Sequence, residues 1–581
     1  MRKREVLEDQ FKTWDNTELF YRTWKPIDDQ QSNKALIVLH RGHEHSGRLH
    51  DIIDKLDLPD FWAFGYDSRG HGKSPGPRGY ADDFSVLVKD LDTFIKYVSK
   101  KYDIPVENMV IVANSVAGVV TSTWVHDYAP NIKAMILAAP AFRIKLYVPF
   151  ALTFLRALNH FKKPSFISSY VKARFLTHDE EKAKEYEHDK LITSEIAVNI
   201  LISLHDTATR IINDAAAIVV PTCIISAESD WVVKNAPQRQ FFKRLSSSKK
   251  EMYTYPGFFH GIFFEKDRTK PLAKAREFIL ACFEEDVQFP SLLDADKRGY
   301  TKEEYDRLRK QGSPIKQVMA GVQKLGMSTL GKLSHGIRIG YAAGFDSGLS
   351  LDYVYKNKAT GFTPLGKLID YFYINAIGWR GIRQRKVNMQ KSLDEVIEKL
   401  LAEERPIRIM DIAAGPGRYL IETDKKFKDK NVKIFIRDNE IKNINEGKKI
   451  AEKIGIKNVK FKVADAFDKN SYSAEEFSAN ILIISGLYEL FPDNDIIKNS
   501  LEGAVSVLQD GGYIIYTGQP WHPQLEMIAN LPNRAGQQWI MRRRTQRELD
   551  QLINSVGYQK TDMKIDQWGI FTVSIAEKIN T

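Results

Sequence analysis

Three residues in the first half have the types and the order needed for nucleophilic acyl transfer. Ser115 lies in VIVANSVAG, where a β-branched apolar run meets small residues and then a helical pattern. A catalytic serine needs a histidine as its base and a carboxylate that orients the histidine. Asp230 ends the apolar run of PTCIISAESDWVV, and His260 follows in YPGFFHGIFF. Serine, acid and histidine in this order, each after a strand pattern, predict a catalytic triad.

The turn at Ser115 departs from the nucleophile-elbow motif G-x-S-x-G. That motif places the serine on a sharp strand-to-helix turn, and its outer positions must be small so that strand and helix can approach closely. Here the outer positions are Ala113 and Ala117. Alanine also meets the steric requirement. The alternative, a small residue at a turn without chemistry, weakens once Asp230 and His260 are considered.

A second set of residues, in the second half, could bind a nucleoside cofactor. IRIMDIAAGPGRY combines a strand, the acid Asp411 and a turn with Ala413, Gly415 and Gly417 at alternate positions. The dinucleotide fingerprint needs a third glycine three positions later, where this chain has Leu420. The turn therefore favours S-adenosylmethionine over NAD.

Two further acids follow the next two strand patterns. Asp438 ends VKIFIRD, where it could accept hydrogen bonds from ribose hydroxyls, and Asp465 ends VKFKVAD, where it could bind the adenine amino group. Each acid alone could be a helix N-cap. Acids after three successive strands instead predict one cofactor-binding edge.

The elements that must position these residues alternate along both halves. The buried-strand patterns of the first half, separated by amphipathic stretches, are ALIVL (35–39), FWAFGY (61–66), MVIVA (109–113) and AMILAA (134–139). The alternation resumes from residue 407. It predicts βαβ units and parallel sheets, whose chemistry lies beyond the carboxyl ends of the strands. The predicted fold class is α/β in both halves.

Composition and length limit the class of protein. A chain of 581 residues predicts two or more domains, and a net charge of +11 favours anionic partners, although lysine-rich solvated helices would produce the same balance. The start MRKREVLEDQF lacks the apolar segment of a secretory signal, and LYVPFALTFL is too short to span a bilayer. Cys223 and Cys282 lie in apolar contexts, and no Cys/His spacing typical of a metal site occurs. These features predict a cytoplasmic or peripheral membrane protein with two buried thiols and no metal.

The motifs of the first half resemble those of the monoacylglycerol lipase and lysophospholipase group of α/β-hydrolases. They are HRGHEHSGR, YDSRGHGKSPGPRGY, ANSVAG, SAESDWVV and PGFFHG, and the resemblance covers about residues 15–285. It implies a lipid or small-molecule ester as substrate, and oxyanion donors at the backbone N–H groups of Gly42 and Val116. Arg41 and His43 replace glycines of the group's HGxGEH motif. They could narrow the acyl pocket or bind an anionic head group.

Two other stretches of the first half are interpreted as structural. The block from Asp67 to Ser74 could be a second His/Asp site, but a glycine turn braced by Arg69 and His71 is the favoured interpretation. Residues 141 to about 219 are apolar and then basic, and they resemble the cap that covers the acyl pocket in this group.

The second half resembles class I methyltransferases, and more specifically a bacterial methyltransferase family whose members are found fused to such hydrolases. The residues that carry this resemblance are GWRGIRQRKVNMQ, DIAAGPGRY, SGLYELFPDN, YTGQPWHPQ and WIMRRRTQ, over about residues 300–578. It implies a Rossmann-like domain with S-adenosyl-L-methionine as cofactor. Candidates for the methyl-acceptor side are Tyr488, Glu489, Trp521 and His522, which could equally be core residues.

These patterns predict a capped α/β-hydrolase domain (1–288, cap about 141–219), a helical linker or extension (289–344) and a Rossmann-like class I methyltransferase domain (345–581). The predicted function is bifunctional. It combines serine hydrolysis of carboxylic esters with methyl transfer from S-adenosylmethionine to an unknown acceptor. The alternative is an active hydrolase with a non-catalytic C-terminal module that binds the cofactor or lipid.

One amphipathic stretch raises the question of a membrane contact. SPIKQVMAGVQKL places Ile315, Val318, Val322 and Leu325 on one helical face, with lysines on the polar side. Packing against a neighbouring domain and weak contact with an anionic membrane are both compatible with this pattern. A nucleic-acid partner is not expected, because the sequence has no basic platform interleaved with aromatic residues.

Overall fold

The structure, a computed structural model, describes residues 4–27, 31–285, 287–310, 314–427 and 430–579. It does not describe the side chains of residues 314–317, 319, 320, 424 and 425. The chain divides into two compact units, Met1–Pro290 and Ser291–Thr581. Residues 291–344, for which the sequence predicted a separate linker or extension, therefore group with the second unit.

The first unit alternates strands and helices in the order that the sequence patterns predicted. In chain order the elements are β1 (Val6–Lys12), β2 (Glu18–Trp24), β3 (Ala35–Leu39), α1 (His50–Leu56), β4 (Trp62–Tyr66), α2 (Phe84–Tyr102), β5 (Met109–Asn114), α3 (Val116–Tyr128), β6 (Ala134–Ala138), α4 (Ala151–Phe161), β7 (Phe166–Ser168), α5 (Glu180–His188), β8 (Glu195–Ala197), α6 (Val198–Asn213), β9 (Thr222–Ala227), α7 (Asn235–Arg244), β10 (Lys250–Tyr255) and α8 (Thr269–Glu284).

The eight-stranded sheet of the first unit has the order β1-β2-β4-β3-β5-β6-β9-β10. β2 pairs antiparallel with β1 and β4, and the strands from β4 to β10 pair in parallel. All side chains of β3, β5, β6 and β9 are buried. A parallel sheet covered on both faces requires such continuous apolar runs, so these strands could be recognised in the sequence.

The segment for which the sequence predicted a cap (about 141–219) lies between β6 and β9. It consists of α4, α5, α6 and the antiparallel pair β7–β8. Leu155 of α4 is buried against Val198 and Leu201 of α6. The opposite side of α4 is exposed at Phe154 and Phe161, so one side of this helix packs inside the cap and the other leaves large apolar residues uncovered.

The second unit begins with a run of helices and continues as an alternating α/β unit. Its elements are α9 (Tyr300–Arg309), α10 (Pro314–Ser328), α11 (His335–Ala343), α12 (Gly348–Lys356), α13 (Pro364–Ile374), α14 (Ile377–Ala402), β11 (Arg408–Asp411), α15 (Arg418–Lys426), β12 (Lys433–Asp438), α16 (Ile441–Ile454), β13 (Val459–Val463), β14 (Ala479–Ile484), α17 (Asn494–Val505), β15 (Leu508–Gly518), α18 (Leu525–Ile528), α19 (Gln546–Asn554), β16 (Tyr558–Ile565) and β17 (Thr572–Lys578).

The sheet of the second unit has the order β13-β12-β11-β14-β15-β17-β16. The first five strands are parallel, and β17 runs antiparallel to β15 and β16. One core cluster joins the sheet to α14 and α16, and a second joins it to α17 and α19. The sheet is therefore covered on both faces, and its parallel strands end at one edge, where Asp411 and Asp438 are located.

Among the helices of the described ranges, none combines the length and the hydropathy that a membrane crossing requires.

Candidate functional sites

Ser115 occupies the tight turn between β5 and α3. Its backbone angles are φ 55° and ψ −113°, in a region that non-glycine residues rarely adopt. The Ser115 N–H donates to the carbonyl of Ala138 (2.9 Å). A Cβ at Gly118 would lie 2.9 Å from Cβ of Pro140. The glycine that allows close approach is therefore Gly118, one position beyond the motif residue Ala117.

The three residues of the predicted triad form a continuous hydrogen-bonded chain. Oγ of Ser115 lies 2.8 Å from Nε2 of His260, and Nδ1 of His260 lies 2.7 Å from Oδ2 of Asp230. The other Asp230 oxygen accepts the backbone N–H groups of Val232 (2.7 Å) and Val233 (2.8 Å). Because a carboxylate can only accept, Nδ1 of His260 carries the proton, and Nε2 faces the serine as a base.

The charge state of Asp230 suits its position beside His260 in the hydrogen-bonded series. Burial disfavours the charged carboxylate, but the charge and hydrogen bond of His260 and the two backbone donors outweigh burial, so the pKa of Asp230 lies below its usual value. Asp230 is therefore ionised at neutral pH and can hold the imidazole of His260 in one orientation.

Gly42 and Val116, whose backbone N–H groups are expected to hold an oxyanion, lie close together. A Cβ at Gly42 would be 3.2 Å from Cγ2 of Val116. Within the described ranges, neither N–H donates to a protein atom. His40 holds the Gly42 loop, because Nδ1 donates to the Arg41 carbonyl (2.6 Å) and Nε2 accepts the N–H of Ser68 (3.1 Å). The two groups are thus available to a developing negative charge.

A cavity of about 170 Å³ opens beside the serine. Its lining is mainly apolar and comes from both the sheet core and the cap, and includes Val120, Ile144, Ile196, Leu201, Leu204 and Val233. An apolar cavity with a few polar groups at one end suits an acyl chain whose carbonyl reaches Ser115.

Arg41 and His43, the two departures from the resembled motif, line this cavity. Arg41 donates to both oxygens of Glu44, from Nε (3.0 Å) and from Nη2 (2.5 Å). Burial lowers the pKa of His43 to about 4, so its ring is neutral. His43 therefore has no charge to offer a head group and shapes the cavity, whereas Nη1 of Arg41 is buried without a partner among the described residues, so both alternatives remain for Arg41.

The block from Asp67 to Ser74 has the bracing role that the sequence favoured. Asp67 accepts the backbone N–H groups of Ser46 (2.6 Å) and Lys73 (2.8 Å). Arg69 pairs with Asp15 (2.8 Å) and Asp90 (2.6 Å). These contacts tie the loop to β1–β2 and α2, so the block is a structural clamp.

In the second unit, the turn after β11 has the shape that a bound nucleoside cofactor requires. Gly415 and Gly417 have positive φ (58° and 67°). A Cβ at Gly417 would overlap Ile436, whereas a Cβ at Gly415 would meet nothing within 4 Å. Gly417 therefore permits close packing against β12, and Gly415 leaves open space beside the backbone, into which a ligand fits.

The three acids predicted for the cofactor follow the neighbouring strands β11, β12 and β13. Oδ1 of Asp411 accepts the N–H of Ala413 (3.0 Å), and its other oxygen accepts the hydroxyl of Tyr419. Asp438 accepts the N–H of Gly415 (2.8 Å), which links the second acid to the first turn. Its other oxygen accepts the N–H of Glu440 (2.9 Å), but Glu440 and not Asp438 is the N-cap residue of α16, so the N-cap alternative is wrong for Asp438.

The third acid, Asp465, is more exposed to solvent than Asp411 and Asp438. Asp465 is exposed, and one of its oxygens accepts the N–H of Phe467 (2.9 Å). Because β11, β12 and β13 are adjacent in the sheet, the three acids and the open turn at Gly415 share one edge. The residues present fit S-adenosylmethionine, whose ribose and adenine carry the hydroxyl and amino donors that carboxylates accept.

Burial has a strong effect on Asp411. It raises the pKa of this carboxyl to about 7, although the Tyr419 hydroxyl and the Ala413 N–H favour the charged form. Asp411 is therefore half-protonated near neutral pH in the absence of a ligand.

Of the four acceptor-side candidates, Tyr488 belongs to the core. Its ring is buried among the residues of the sheet and α17, and its hydroxyl donates to Oγ of Ser500 (3.0 Å). Glu489 is different, because Oε1 accepts the hydroxyl of Thr517 (2.6 Å) and Oε2 is buried without a partner among the described residues. The direction of the Tyr488 ring depends on α17, which the local sequence does not reveal.

The other two candidates lie after β15. Burial lowers the pKa of His522 to about 4, and its Nδ1 accepts the N–H of Gln524 (3.1 Å). The remaining nitrogen, Nε2, therefore carries the proton and lies 2.8 Å from where a Cβ of Gly378 would stand. Trp521 is half-buried and packs in a cluster with Trp379 and Trp568.

Arg542, Arg543 and Arg544 of WIMRRRTQ could be expected to bind an anionic acceptor or to begin a solvated helix, and the structure supports neither. All three are buried. Arg542 donates to the carbonyl of Pro492 (2.7 Å), and Arg544 donates to the carbonyl of Tyr488 (2.6 Å). The arginines are structural because their partners, which the local sequence cannot show, come from other segments.

A buried arginine on α14, Arg385, was not among the predicted site residues. Arg385 lies in GWRGIRQRKVNMQ, and its Nη1 is 3.7 Å from Oε1 of Glu489. The available signal was a cation on the otherwise apolar side of a long helix, at the spacing of Ile382 and Met389.

Comparison with known proteins agrees with the division into two units. Residues 275–578 match a family described as "Putative methyltransferase", and residues 30–267 match one described as "Serine aminopeptidase, S33". An Escherichia coli K12 protein named "Uncharacterized protein YnbC" is 42% identical over 97% of each chain. The monoacylglycerol lipase of Mycolicibacterium smegmatis is 23% identical over 45% of this chain and 93% of its own.

Among solved structures, the monoacylglycerol lipase of Paleococcus ferrophilus covers 48% of this chain and 99% of its own, with 21% identity and a TM-score of 0.40. The predicted resemblance and fold class are confirmed: an α/β-hydrolase domain precedes a methyltransferase-family domain. The chain belongs to the family described as "Putative methyltransferase", and it carries a lipase-like hydrolase domain of the S33 type in its first half.

Proposed function

We propose that the first unit hydrolyses carboxylic esters with an apolar acyl chain, of the acylglycerol or lysophospholipid type. Oγ of Ser115 attacks the ester carbonyl while His260 takes its proton, and Asp230 stabilises the imidazolium that forms. The N–H groups of Gly42 and Val116 donate to the carbonyl oxygen as it becomes negative. His260 then gives the proton to the leaving alcohol, and water releases the acyl group by the same steps.

One observation carries this proposal: Ser115 and His260 of the hydrogen-bonded series Ser115–His260–Asp230 line an apolar cavity together with Gly42 and Val116. The test is labelling of the full chain with a fluorophosphonate probe, together with turnover of p-nitrophenyl esters of increasing length. Ser115→Ala should abolish both. The control is Ser122→Ala in α3, the helix that follows Ser115. The Oγ of Ser122 donates to the Gly118 carbonyl (2.7 Å). Undiminished labelling of Ser115→Ala would refute the assignment.

We further propose that the second unit binds S-adenosylmethionine and transfers its methyl group to an acceptor. When bound, the cofactor supplies an electrophilic methyl group. Asp438 and Asp465 would hold the ribose and the adenine, and Gly415 gives the ligand access to the backbone. His522, neutral and with a proton on Nε2, would orient the acceptor by donating a hydrogen bond, with Trp521 as an apolar wall.

Calorimetry with S-adenosylhomocysteine and with NAD tests this proposal. Asp438→Ala should weaken S-adenosylhomocysteine binding by roughly ten- to a hundredfold, the range for hydrogen bonds to a charged group. Glu446→Ala, an exposed position of α16, is the matched control. Binding of NAD but not of S-adenosylhomocysteine would contradict the proposal. Binding without transfer to any acceptor would favour the non-catalytic module.

We also propose that the protein makes weak contact with anionic membranes through its cap. Phe150 and Phe161 are each 86% exposed, and Phe154 lies between them on the uncovered side of α4. Arg156, Lys162 and Lys163 flank these rings in the sequence. Aromatic side chains beside cations suit a surface with negative head groups and an apolar interior.

The amphipathic helix α10 of the second unit also leaves apolar side chains exposed. Val318, Val322 and Leu325 of α10 are each about two-thirds exposed. The side chains of Ile315 and Lys316, which also belonged to the predicted pattern, lie outside the described residues. The exposed stripe supports membrane contact as a second, independent apolar surface.

A further inference from the structure

A buried arginine on α14 has no hydrogen-bond acceptor within the described part of the chain. Arg385 is 7% exposed and lies over the ring of Phe571, at 5.2 Å from its centroid. The nearest carboxylate oxygen, Oε1 of Glu489, is 3.7 Å from Nη1, which is too far for a hydrogen bond. A guanidinium has five donors, so this group can bind a planar anion such as a carboxylate.

The position of Arg385 relates it to the cofactor turn. A Cβ at Gly486, just after β14, would be 3.0 Å from Nη2 of Arg385. The arginine also acts electrostatically on Tyr419, whose hydroxyl donates to Asp411 at the end of β11. Because β11 and β14 are neighbours in the sheet, the guanidinium lies near the carboxyl ends of two central strands, and the turn that contains Gly415 follows one of them, β11.

Two further buried groups near this arginine lack partners. Oε2 of Glu489 has no donor among the described residues, although Oε1 accepts from Thr517. Nδ2 of Asn388, three residues after Arg385 on the same buried side of α14, has no acceptor within the same ranges. The set thus offers a cationic donor, an amide donor and an anionic acceptor.

We propose that these residues bind the amino-acid end of S-adenosylmethionine. Arg385, with Asn388, receives the carboxylate, and Glu489 receives the ammonium group. A guanidinium binds a carboxylate through two parallel hydrogen bonds, so the zwitterion supplies an acceptor for Arg385 and an ammonium donor for Oε2 of Glu489. Glu489 is then a cofactor residue and not an acceptor-side residue. The inference rests on the proposed cofactor.

Arg385, Asn388 and Glu489 are here called the amino-acid clamp. The experiment compares two ligands, one with and one without the amino-acid group that this clamp would bind. S-adenosylhomocysteine carries the amino acid, and 5′-methylthioadenosine lacks it. By calorimetry on the full chain, Arg385→Gln should weaken S-adenosylhomocysteine roughly ten- to a hundredfold and leave 5′-methylthioadenosine unchanged. Glu489→Gln should have the same selective effect. Lys391→Gln, at an exposed position of the same helix, should change neither.

Each other result overturns a defined statement. If the wild-type chain binds S-adenosylhomocysteine and Arg385→Gln binds it equally well, the clamp is wrong while the cofactor proposal stands. If Arg385→Gln and the milder Arg385→Lys weaken both ligands to the same extent, Arg385 is only structural and the clamp is wrong. If the wild-type chain does not bind S-adenosylhomocysteine, the cofactor proposal is wrong and the clamp with it.

Discussion

At the scale of single residues, the backbone of Ser115 carries strain that its proposed role explains. The combination of positive φ and ψ −113° costs an L-residue about 1–3 kcal/mol and exposes the hydroxyl at the turn. Ser115→Gly and Ser115→Ala both remove the nucleophile, but only glycine relieves the strain. We expect Ser115→Gly to unfold at higher urea concentration than Ser115→Ala, by about 1–2 kcal/mol in the free energy of unfolding.

The control is the same pair of substitutions at Ser122, for which the order of stability should be reversed. At Ser122, inside α3, glycine should be less stable than alanine by about 1 kcal/mol, because a helix interior penalises glycine. If glycine at position 115 is also less stable than alanine, the turn is not strained.

Asp411 gives a pH dependence at the same scale. Its pKa is about 7 in the folded chain and near 3.8 in the unfolded chain. Between these values the folded state keeps the proton that the unfolded state has lost, so the stability of the second unit falls as pH rises from about 4 to about 7. Asp411→Asn cannot ionise. We therefore expect the melting temperature of the variant minus that of the wild type to be larger at pH 8 than at pH 5. The same difference at both pH values would contradict the prediction.

At the scale of elements, a buried charge network joins α3, which begins after Ser115, to α6 of the cap. Arg210 donates to both oxygens of Asp127 (2.6 and 2.8 Å). The ring nitrogens of His126 face Asp127 and Asp214, each at 2.7 Å. Since α6 also lines the acyl cavity through Leu201 and Leu204, this network orients the cavity wall relative to the nucleophile.

We expect Arg210→Met to lower the free energy of unfolding of the first unit by about 3–5 kcal/mol, because it removes a partner from a buried carboxylate. The matched control is Arg156→Met, also in the cap. Arg156 forms an exposed pair with Asp206 (2.5 Å), and its removal should cost no more than about 1 kcal/mol. Equal effects in urea unfolding would show that the network does not stabilise the fold.

At the scale of the whole molecule, the net charge of +11 and the exposed rings of the cap predict reversible membrane binding. Each cation near an anionic surface contributes about 1 kcal/mol, and the attraction falls with salt. In liposome flotation, the full chain should bind phosphatidylglycerol vesicles at low salt and dissociate at high salt. The variant Phe150→Ser/Phe154→Ser/Phe161→Ser should bind less.

A control variant outside the cap is Leu7→Ser/Ile454→Ser, which changes two exposed apolar residues and should bind like the wild type. Equal recovery with neutral and anionic vesicles at every salt concentration would exclude the proposed contact.

Residue patterns alone were sufficient to predict the fold class and the set of residues from which the hydrolase proposal is built. Strands buried on both faces must be continuously apolar, so β3, β5, β6 and β9 were recognisable, and parallel strands end at one edge of the sheet. Ser115, Asp230 and His260 could therefore be grouped although they lie far apart in the chain. The same reasoning grouped Asp411, Asp438 and Asp465.

The directions and contacts of other side chains depend on tertiary packing and could not be predicted from the sequence. The Tyr488 ring enters the core because α17 packs over it, and the three arginines at 542–544 are buried because their partners come from distant segments. Arg385 and Glu489 approach each other across 104 positions of sequence (489 − 385). Neither residue type predicts this contact, since the packing of α14 against the sheet brings the two side chains together, and packing depends on the whole core.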